Sequence, residues 1–460
     1  MPTNENPHHV KTSMANPPSS QPPSTPPTRQ PLLTFILLAY GIIGLLYATY
    51  IPAWQAPDEP AHYNYIRQLS AGQLPKMEPT DYDQTYQNEM ISNRFANFNN
   101  DYAFSYEDWQ PPVYYALLTP IFWLTDGDLI SLRMASFAIS LFTAYLVWAI
   151  VRQLWPERPW RAYTALAFFL FLPQHLSIMA TLNNDTLAEL LIAATLWLTL
   201  PWLNINAPEP TNRQLIFQSI ILGLALTTKG TAYFLAPLLA IALLWRYRRD
   251  GRGALRPAVL LFMPAWIIAS LWWRYNLTTY GGGDLLAMNV HDAVVTGQPR
   301  TAQWITDLGL LPYLRRFITT TFNSFWGQFG WMSVPMPTWV YQPLWLFTFL
   351  ILTGIIYHLR HLKPPYTRYT HHALLLLNFL AALGLYLFYN LTFVQHQGRY
   401  LFPALIPLAA AVASAVDVYY DWLRPKLHIP PHLFPILLAL LLISLDIFAL
   451  FRFIRPNLLP

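Results

Sequence analysis

The sequence of 460 residues contains no cysteine and few charged side chains. Without cysteine it can form neither disulfides nor thiolate metal sites, and it has no cysteine nucleophile. Charged residues make up only 11% of the chain, whereas hydrophobic residues make up 54% and aromatic residues 16%. Such a composition excludes an ordinary soluble protein of this length and indicates a polytopic membrane protein. The net charge of +5 reflects the bias of the loops and does not indicate nucleic-acid binding.

The N-terminal segment 1–31 differs in composition from the rest of the chain. It is rich in Pro, Ser, Thr and Asn and has almost no bulky aliphatic side chains, so it cannot bury enough apolar surface to offset its chain entropy. We interpret 1–31 as a disordered cytoplasmic tail and 32–460 as one transmembrane domain. The apolar run that opens this domain has no small-residue cleavage site, which indicates a retained helix and not a signal peptide.

Apolar runs long enough to cross a bilayer recur along 32–460. We predict eleven spans, near 32–51, 129–151, 162–182, 185–203, 214–228, 230–246, 256–275, 341–359, 372–392, 401–419 and 432–453. The apolar stretch 111–124 is shorter, because at 1.5 Å per residue it reaches only about 21 Å across a hydrocarbon core of about 30 Å. If this stretch lies in the outer interface, the loops richest in Lys and Arg all become cytoplasmic, as the positive-inside rule requires.

The orientation of the whole chain follows from the placement of 111–124 in the outer interface. The N-terminus is then inside and the C-terminus outside, and the long segments 52–128 and 276–340 are extracytoplasmic loops. The protein is expected in the cytoplasmic (inner) membrane, with its active site on the extracytoplasmic face, since most acidic residues collect there.

Two adjacent carboxylates, Asp58 and Glu59, follow the first predicted span in the stretch AWQAPDEPAH. Asp58 is a good N-cap, a proline stands in the first turn and Gly72 is a stop signal, which together predict a short helix on the membrane surface. Capping requires only one such group and leaves Glu59 and His62 unexplained. A partly shielded carboxylate at this boundary can have a pKa suited to general-base chemistry, so capping and catalysis are both open for Asp58.

Six sequence blocks occur in a fixed order: QAPDEPAH, QPPVYY, LNNDTLA, LTTKG, FWGQFGW and QGRYLFP. Together they resemble the GT-C superfamily of integral-membrane glycosyltransferases, and most of all a bacterial branch that carries PDEPAH and QGRYLFP blocks. Protein O-mannosyltransferases and the aminoarabinose transferases that modify lipid A are more distant relatives. The resemblance covers about residues 32–420. It implies an all-α GT-C-type fold with interfacial helices in the first extracytoplasmic loop, and a polyprenyl-phosphate-linked sugar as donor.

Under this resemblance Asp58 is the general base, which takes a proton from the acceptor as the acceptor attacks the anomeric carbon with inversion. Cations must stabilise the negative charge that grows on the departing lipid phosphate. Arg399 ranks first among them, because a guanidinium can bind phosphate bidentately. The other predicted substrate-binding residues are Glu59, His62, Asn184, Asp185, Lys229, Arg274, His396 and Tyr400.

Several of these residues also have a purely structural interpretation. Lys229 and Arg274 can be snorkelling side chains at the ends of spans, and LNNDT is equally typical of a turn followed by an N-cap. We predict no cofactor and no metal ligands. The D-x-D pairs at 81–83 and 126–128 make a divalent metal the alternative, although such pairs are frequent in loops by chance.

The donor sugar, a hexose or a pentose, and the acceptor, a protein, a glycolipid or a surface glycan, stay open at this level. A transporter or flippase of lipid-linked sugars is the alternative function. Transporters usually carry internal repeats and ionisable residues near the bilayer midplane. The sequence has no convincing repeat, and only Asp446 and Glu189 stand at mid-depth, so a transferase is favoured. A noncatalytic scaffold would leave the carboxylates after the first span unexplained.

The predicted topology can be tested by single-cysteine labelling, because the natural chain has no cysteine. A cysteine placed near Asp58 should react with an impermeant maleimide from outside the cell. A cysteine in 246–256 should react only after the membrane is permeabilised. Labelling of the 246–256 position in intact cells would contradict the assignment.

Overall fold

The structure is a computed structural model that describes residues 31–100, 103–361 and 367–460. The predicted tail, apart from its last residue, lies outside the described residues. The described helices are α1 (Pro31–Tyr50), α2 (Glu59–Ser70), α3 (Gln84–Ser92), α4 (Val113–Thr125), α5 (Leu129–Leu154), α6 (Trp160–Leu170), α7 (Pro173–Met179), α8 (Asp185–Leu203), α9 (Asn212–Leu226), α10 (Leu235–Arg246), α11 (Leu255–Tyr280), α12 (Met288–Val294), α13 (Thr301–Leu308), α14 (Leu310–Trp326), α15 (Thr338–Arg360), α16 (Thr367–Thr392), α17 (Leu405–Leu427), α18 (Leu433–Ala449) and α19 (Arg455–Leu458).

Short irregular elements join some of these helices. Two 3₁₀ turns, Gly230–Phe234 and Gly398–Ala404, lead into α10 and α17, and a π-helical turn, Leu450–Ile454, joins α18 to α19. Two strands of two residues, β1 (Gln328–Phe329) and β2 (Val334–Pro335), pair antiparallel. The architecture of the described residues is therefore almost entirely helical, as predicted.

The long helices expose apolar side chains on one side and bury both polar and apolar side chains on the other. On α1, Tyr40 and Tyr47 are fully buried, whereas Leu38 and Ile42 on the other side are 62% and 61% exposed. A band of apolar side chains this extensive requires lipid around it, because water would penalise its exposure. Gly44 lets α1 approach α5 closely, since a Cβ there would overlap the ring of Phe137. The buried core thus lies between the helices, and the lipid covers their outer faces.

Helix length and composition give fewer crossings than the eleven predicted. Among the described residues, eight helices are long and apolar enough to cross a membrane, and the pair α6–α7, bent by 69°, brings the number to nine. The bend lies just before Pro173, which disfavours continuation of the preceding helix. The predicted spans at 214–228 and 230–246 correspond to shorter helices, so helix length does not establish the predicted eleven.

Helices α9 and α10 nevertheless run the whole length of α8. Lys229, which lies between them, donates to Asp185 at the start of α8. At the other end, Arg246 donates to the carbonyls of Asn204 and Ala207, just beyond the end of α8. Because α9 and α10 are consecutive, counting both or neither as spans leaves the orientation of every other helix unchanged.

Contacts at the two ends of the helix bundle distinguish its faces. At one end, Arg158 and Arg161, which follow α5, form ion pairs with Asp417 of α17. At the opposite end, where α1 finishes, Arg94 donates to the carbonyl of Leu459 with a distance of 2.8 Å. The C-terminus therefore lies on the same face as the segment that follows α1. An odd number of crossings, nine or eleven, agrees with this arrangement.

Helix α2 begins after Asp58 and ends before Gly72, as predicted. The helix was predicted to lie on the membrane surface, but it packs on α4. Tyr65 stacks on Tyr115 of α4 with ring centroids 3.8 Å apart, and Ala61 and Ile66 are fully buried. The prediction missed this because the 13-residue α4 offers the apolar side chains of α2 a protein partner. Helix α2 is consequently fixed to the bundle.

Candidate active site

The carboxylate of Asp58 is used for side-chain contacts and not for capping. Asp58 occupies the N-cap position of α2 in the left-handed region, with φ 69°, and its side chain makes no cap hydrogen bond. Its Oδ1 accepts from the hydroxyl of Tyr106 at 2.9 Å, and its Oδ2 accepts from Nη2 of Arg399 at 2.7 Å. The side chain keeps 20% exposure, which is enough to meet a ligand. The capping interpretation of this carboxylate is therefore wrong.

Arg399 reaches Asp58 because the QGRYLFP segment packs directly on the backbone of α14. Gly398 has no room for a side chain, since a Cβ there would overlap backbone atoms of Phe325 and Thr321. The Gly398 amide donates to Ser324 Oγ at 2.7 Å, which fixes the start of the 3₁₀ turn. Arg399 Nε then donates to Gln397 Oε1 at 2.8 Å, so the guanidinium is oriented from both sides.

The ion pair determines the protonation of Asp58. Burial raises the pKa of its carboxyl, but the charge of Arg399 and the hydrogen bonds from Arg399 and Tyr106 lower the pKa more strongly, so the net pKa lies below the usual value. Asp58 is therefore an ionised carboxylate with its own cation in this structure. A carboxylate in this state is a weak base until the cation is withdrawn.

A second ion pair lies close to the first. Lys229 Nζ donates to Asp185 Oδ1 at 2.6 Å, and both side chains are mostly buried. Asp185 opens α8, while Lys229 ends the turn after α9, whose Thr227 carbonyl accepts from the amide of Val113. The structure thus brings the LNNDTLA, LTTKG and QPPVYY blocks together. Lys229 is held by a carboxylate and does not snorkel.

Neutral polar groups fill the space beside the two ion pairs. His62 Nδ1 lies 2.9 Å from the hydroxyl of Tyr115, and Asn184 Nδ2 donates to the same hydroxyl at 3.3 Å. Burial lowers the pKa of His62 to about 3, with the charges of Asp58, Lys229, Asp185 and Arg399 contributing in both directions. His62 is therefore neutral at physiological pH and can only exchange hydrogen bonds. The charges that act on it show that both ion pairs are its neighbours.

Glu59 does not join the cluster formed by the two ion pairs, Asp58–Arg399 and Asp185–Lys229, and His62 beside them. Its carboxylate is fully buried and binds Arg133 of α5 bidentately, with distances of 2.7 and 2.6 Å. It also accepts from the amides of Trp54 and Leu182, while Arg133 donates to the carbonyls of Ala48 and Ile51. This network ties the end of α1, the start of α2 and the segment before α8 together. The geometry gives Glu59 a structural role, which the sequence pattern alone could not distinguish from substrate binding.

Three other predicted residues have different positions. Tyr400 lies beside Arg399, whose guanidinium stands 5.4 Å from the ring centroid. His396 is buried among Trp304, Tyr313 and Phe317, and burial lowers its pKa to about 4. Arg274 is exposed on α11 and forms no ion pair within the described ranges. The structure thus brings Tyr400 to the site and leaves His396 and Arg274 outside the cluster.

Glu107 belongs to the cluster although the sequence analysis did not select it. The charges of Asp58, Lys229 and Arg399 all act on its carboxyl, and burial raises its pKa to about 8. The adjacent Tyr106 is the residue that donates to Asp58. The only sequence signal was its place three residues before the QPPVYY block, in a loop with many other acidic residues.

The D-x-D pairs are explained by local structure. Asp83 caps α3 through the amides of Thr85 and Tyr86, and Asp128 caps α5 through the amide of Ser131. Asp81 accepts from the amide of Glu78. In the part of the chain that the structure describes, no group of three His, Cys, Asp or Glu side chains could hold a metal ion. The absence of a cofactor stays a prediction.

Comparison with known proteins assigns the chain to a family. Residues 111–408, more than half of the chain, match the family described as predicted membrane protein (DUF2142). The chain belongs to the DUF2142 family. No protein of curated function matches it. This DUF2142 protein therefore has to be compared through its fold.

The fold is similar to that of solved GT-C membrane transferases. ArnT from Cupriavidus metallidurans in the apo state gives a TM-score of 0.53 at 15% identity, over 92% of this chain and 73% of that chain. The same protein bound to undecaprenyl phosphate gives 0.51 at 13% identity with the same coverage. The Archaeoglobus fulgidus oligosaccharyltransferase, in complex with Zn and sulfate, gives 0.52 at 15% identity over 90% of this chain but only 52% of that chain. The DUF2142 chain thus has a GT-C-type fold, as the sequence blocks predicted.

The buried Glu59–Arg133 pair generates a stability prediction. Arg133→Met should lower the free energy of unfolding by about 3–5 kcal/mol, because it leaves a buried carboxylate without its cation. Adding Glu59→Gln should recover part of the loss, since the double variant buries no charge. Thermal unfolding in detergent measures both.

The matched control is Lys76→Met, which breaks the exposed Lys76–Glu78 pair and should leave the melting temperature unchanged. A double variant that is less stable than Arg133→Met would contradict the explanation that the loss comes from an unpaired buried carboxylate.

Proposed function

We propose that this DUF2142 protein is a membrane glycosyltransferase that moves a sugar from a polyprenyl phosphate to an acceptor on the extracytoplasmic side of the cytoplasmic membrane. One observation carries the proposal: the carboxylate of Asp58 meets the guanidinium of Arg399 at 2.7 Å, in a cluster that also holds the Lys229–Asp185 pair. Carboxylate and guanidinium side by side provide a proton acceptor and a phosphate ligand, which are the two groups that transfer from a sugar phosphate requires.

An apolar groove fits the lipid part of such a donor. It has a volume of about 390 Å³ and is lined almost wholly by apolar side chains of α14, α15, α16 and α17. Its lining includes Leu401, two residues beyond Arg399, and Tyr386, whose ring centroid is 6.4 Å from that of Tyr400. An amphiphile whose tail occupies this groove would bring an anionic head towards Arg399.

The fold comparison supports the same class of donor. One of the structures similar in fold is ArnT bound to undecaprenyl phosphate, a polyprenyl phosphate. Another is an oligosaccharyltransferase, which transfers sugars. Since these likenesses concern the fold, they support the proposal without identifying the sugar, and the acceptor can be a protein, a glycolipid or a surface glycan.

The proposed step is an inverting displacement. An acceptor hydroxyl or amine attacks the anomeric carbon and gives its proton to the carboxylate of Asp58. The bond between that carbon and the phosphate oxygen breaks, its electron pair stays on the oxygen, and the lipid phosphate departs. Arg399 and Lys229 stabilise the negative charge that this oxygen gains. The products are the glycosylated acceptor and the free polyprenyl phosphate.

The ion pair links donor binding to base strength. In the structure Arg399 holds Asp58 ionised and weakly basic. A donor phosphate competes for the same guanidinium, so Asp58 loses part of its counter-charge when the donor binds. Its pKa then rises, because burial continues to raise it while Arg399, the strongest influence that lowers it, is partly withdrawn. Asp58 becomes a stronger base only when a substrate is in place.

A transporter or flippase of lipid-linked sugars is the second candidate. One observation favours it: Asp446 of α18 is fully buried, and neither of its carboxyl oxygens has a hydrogen-bond partner in the part of the chain that the structure describes. Ionisable groups inside a membrane often serve transport. A flippase would move an intact lipid-linked sugar and would not depend on Asp58 for bond cleavage.

Asp58→Asn separates catalysis from local structure. Asn tolerates the left-handed backbone of this position but cannot accept the proton, so turnover should fall by about 10²–10⁴ with donor binding retained. Sugar transfer and donor binding are measured on the same purified protein. The control is Asp83→Asn, at the N-cap of α3, where the side chain does cap and transfer should be normal. Near-normal transfer by a folded Asp58→Asn protein would contradict the role of general base.

Substitution of Arg399 tests the phosphate role. Arg399→Ala should weaken transition-state stabilisation by about 2–4 kcal/mol in kcat/KM if the guanidinium contacts the leaving phosphate in a dry site. Arg399→Lys should recover only part of this, because a point charge cannot replace the planar fork. Arg315→Ala, on the exposed face of α14, is the control. If folded Arg399→Ala protein transfers sugar at the normal rate, the phosphate is bound elsewhere.

A further inference from the structure

The cluster holds one carboxyl more than it has cations. Asp58 is paired with Arg399 at 2.7 Å, and Asp185 is paired with Lys229 at 2.6 Å. Glu107 is the third carboxyl, and among the described residues these same two cations are the ones whose charges act on it. Each cation is already bound to another carboxylate. A third negative charge on this half-buried side chain would therefore have no cation of its own, which is unfavourable.

The position of Glu107 leaves one of its carboxyl oxygens without a partner. It lies in the segment before α4, next to Tyr106, which donates to Asp58. Its Oε2 atom is buried and has no hydrogen-bond partner among the described residues, while the nearby side chain of Gln110 lowers the pKa of the carboxyl group. A buried polar atom without a partner is costly unless something binds it. The free oxygen lies in the same cluster as the two groups that carry the proposed reaction.

We propose that Glu107 is a neutral carboxylic acid that donates a hydrogen bond from its own O–H to an oxygen of the sugar phosphate donor. The inference rests on the proposed function and adds a substrate-binding residue to it. With Glu107 neutral, the two ion pairs leave the empty site without net charge, and the donor adds one negative phosphate. A hydrogen-bond donor at this position favours that ligand, whereas a carboxylate would repel it.

The electrostatic surroundings of Glu107 are consistent with this protonation. Burial is the main cause of its raised pKa, about 8, followed by the charge of Asp58; Lys229, Gln110 and Arg399 oppose the shift. Asp108 also interacts with it and has a pKa raised well above the usual value by its own burial. The phenols that face Glu107 are those of Tyr106, Tyr115, Tyr389 and Tyr400.

These surroundings set the direction of the pH dependence. Because the pKa of Glu107 is raised, the neutral form prevails below about pH 8 and is lost above it. Donor affinity that depends on the O–H should therefore be complete on the acidic side and fall about tenfold for each pH unit above the pKa. Asp58 keeps its role as base, since its pKa is shifted in the opposite direction.

The test measures donor KM against pH for the wild type, Glu107→Gln and Glu107→Ala. At pH 7, Glu107→Ala should raise KM about tenfold, because the hydrogen bond is lost. Glu107→Gln, whose amide still donates, should raise KM about threefold and should remove the alkaline increase in KM seen in the wild type. Glu89→Gln, at an exposed carboxylate on α3, is the control and should keep the wild-type profile.

Binding of free polyprenyl phosphate by the same variants shows which part of the donor Glu107 contacts. If Glu107 contacts the phosphate, the Glu107 variants should also bind free polyprenyl phosphate more weakly. If Glu107 contacts the sugar, they should bind it as the wild type does.

A second measurement is independent of sugar transfer. In the infrared difference spectrum of wild type minus Glu107→Gln, the carbonyl band of a protonated carboxylic acid should be present at pH 7 and should disappear as pH is raised through about 8. If the band is absent at pH 7, Glu107 is ionised and the inference fails, whatever the protein transfers. A loss of about 10² or more in kcat for Glu107→Gln with KM unchanged would also overturn it, because it would identify a base. If no donor reacts but the band titrates as expected, the proposed function fails and the protonation of Glu107 stands.

Discussion

The contact between Asp58 and Arg399 joins two segments 341 residues apart in the sequence. It can form only if the segment after α1 and the turn before α17 reach the same end of the helix bundle. The bidentate Glu59–Arg133 pair anchors the first of these segments, and the close approach of Gly398 to α14 anchors the second. The chemistry proposed for the site therefore depends on backbone packing at positions that take no part in it.

Two neighbouring acidic residues show how burial separates roles. Asp58 retains partial exposure and faces a cation that a ligand can displace, whereas Glu59 is fully buried in a network where every partner is part of the protein. Burial and charge also separate Asp58 from Glu107, because the ion pair with Arg399 lowers the pKa of Asp58, whereas burial raises the pKa of Glu107. A site that keeps one carboxyl ionised and another neutral at the same pH can both accept and donate protons.

Much of this arrangement could be predicted from the sequence. The apolar run lengths indicated a helical protein, and the turn signals predicted the short helix after Asp58. The six blocks led to the choice of Asp58, Lys229 and Arg399 as candidates.

Other features could not be predicted, because they depend on pairing between distant segments. Arg133 stands near the start of an apolar span, and nothing local indicates that its partner is Glu59. Glu107 is one acidic residue among many in its loop until the cations around it are seen to be already paired. Helix α2 was predicted to lie on the membrane surface because its partner, α4, is too short to be recognised as part of the bundle.

The most direct test of the central claim is sugar transfer by the purified protein in lipid, supplied with a panel of polyprenyl phosphates that carry radiolabelled sugars, with EDTA present. We expect at least one donor to release its label to an acceptor or to water and to leave free polyprenyl phosphate. Asp58→Asn protein that still binds the donor should abolish this release. If no donor is cleaved while the folded protein moves an intact labelled lipid across the bilayer, the protein is a transporter and the account of Asp58 and Arg399 as catalytic groups is contradicted.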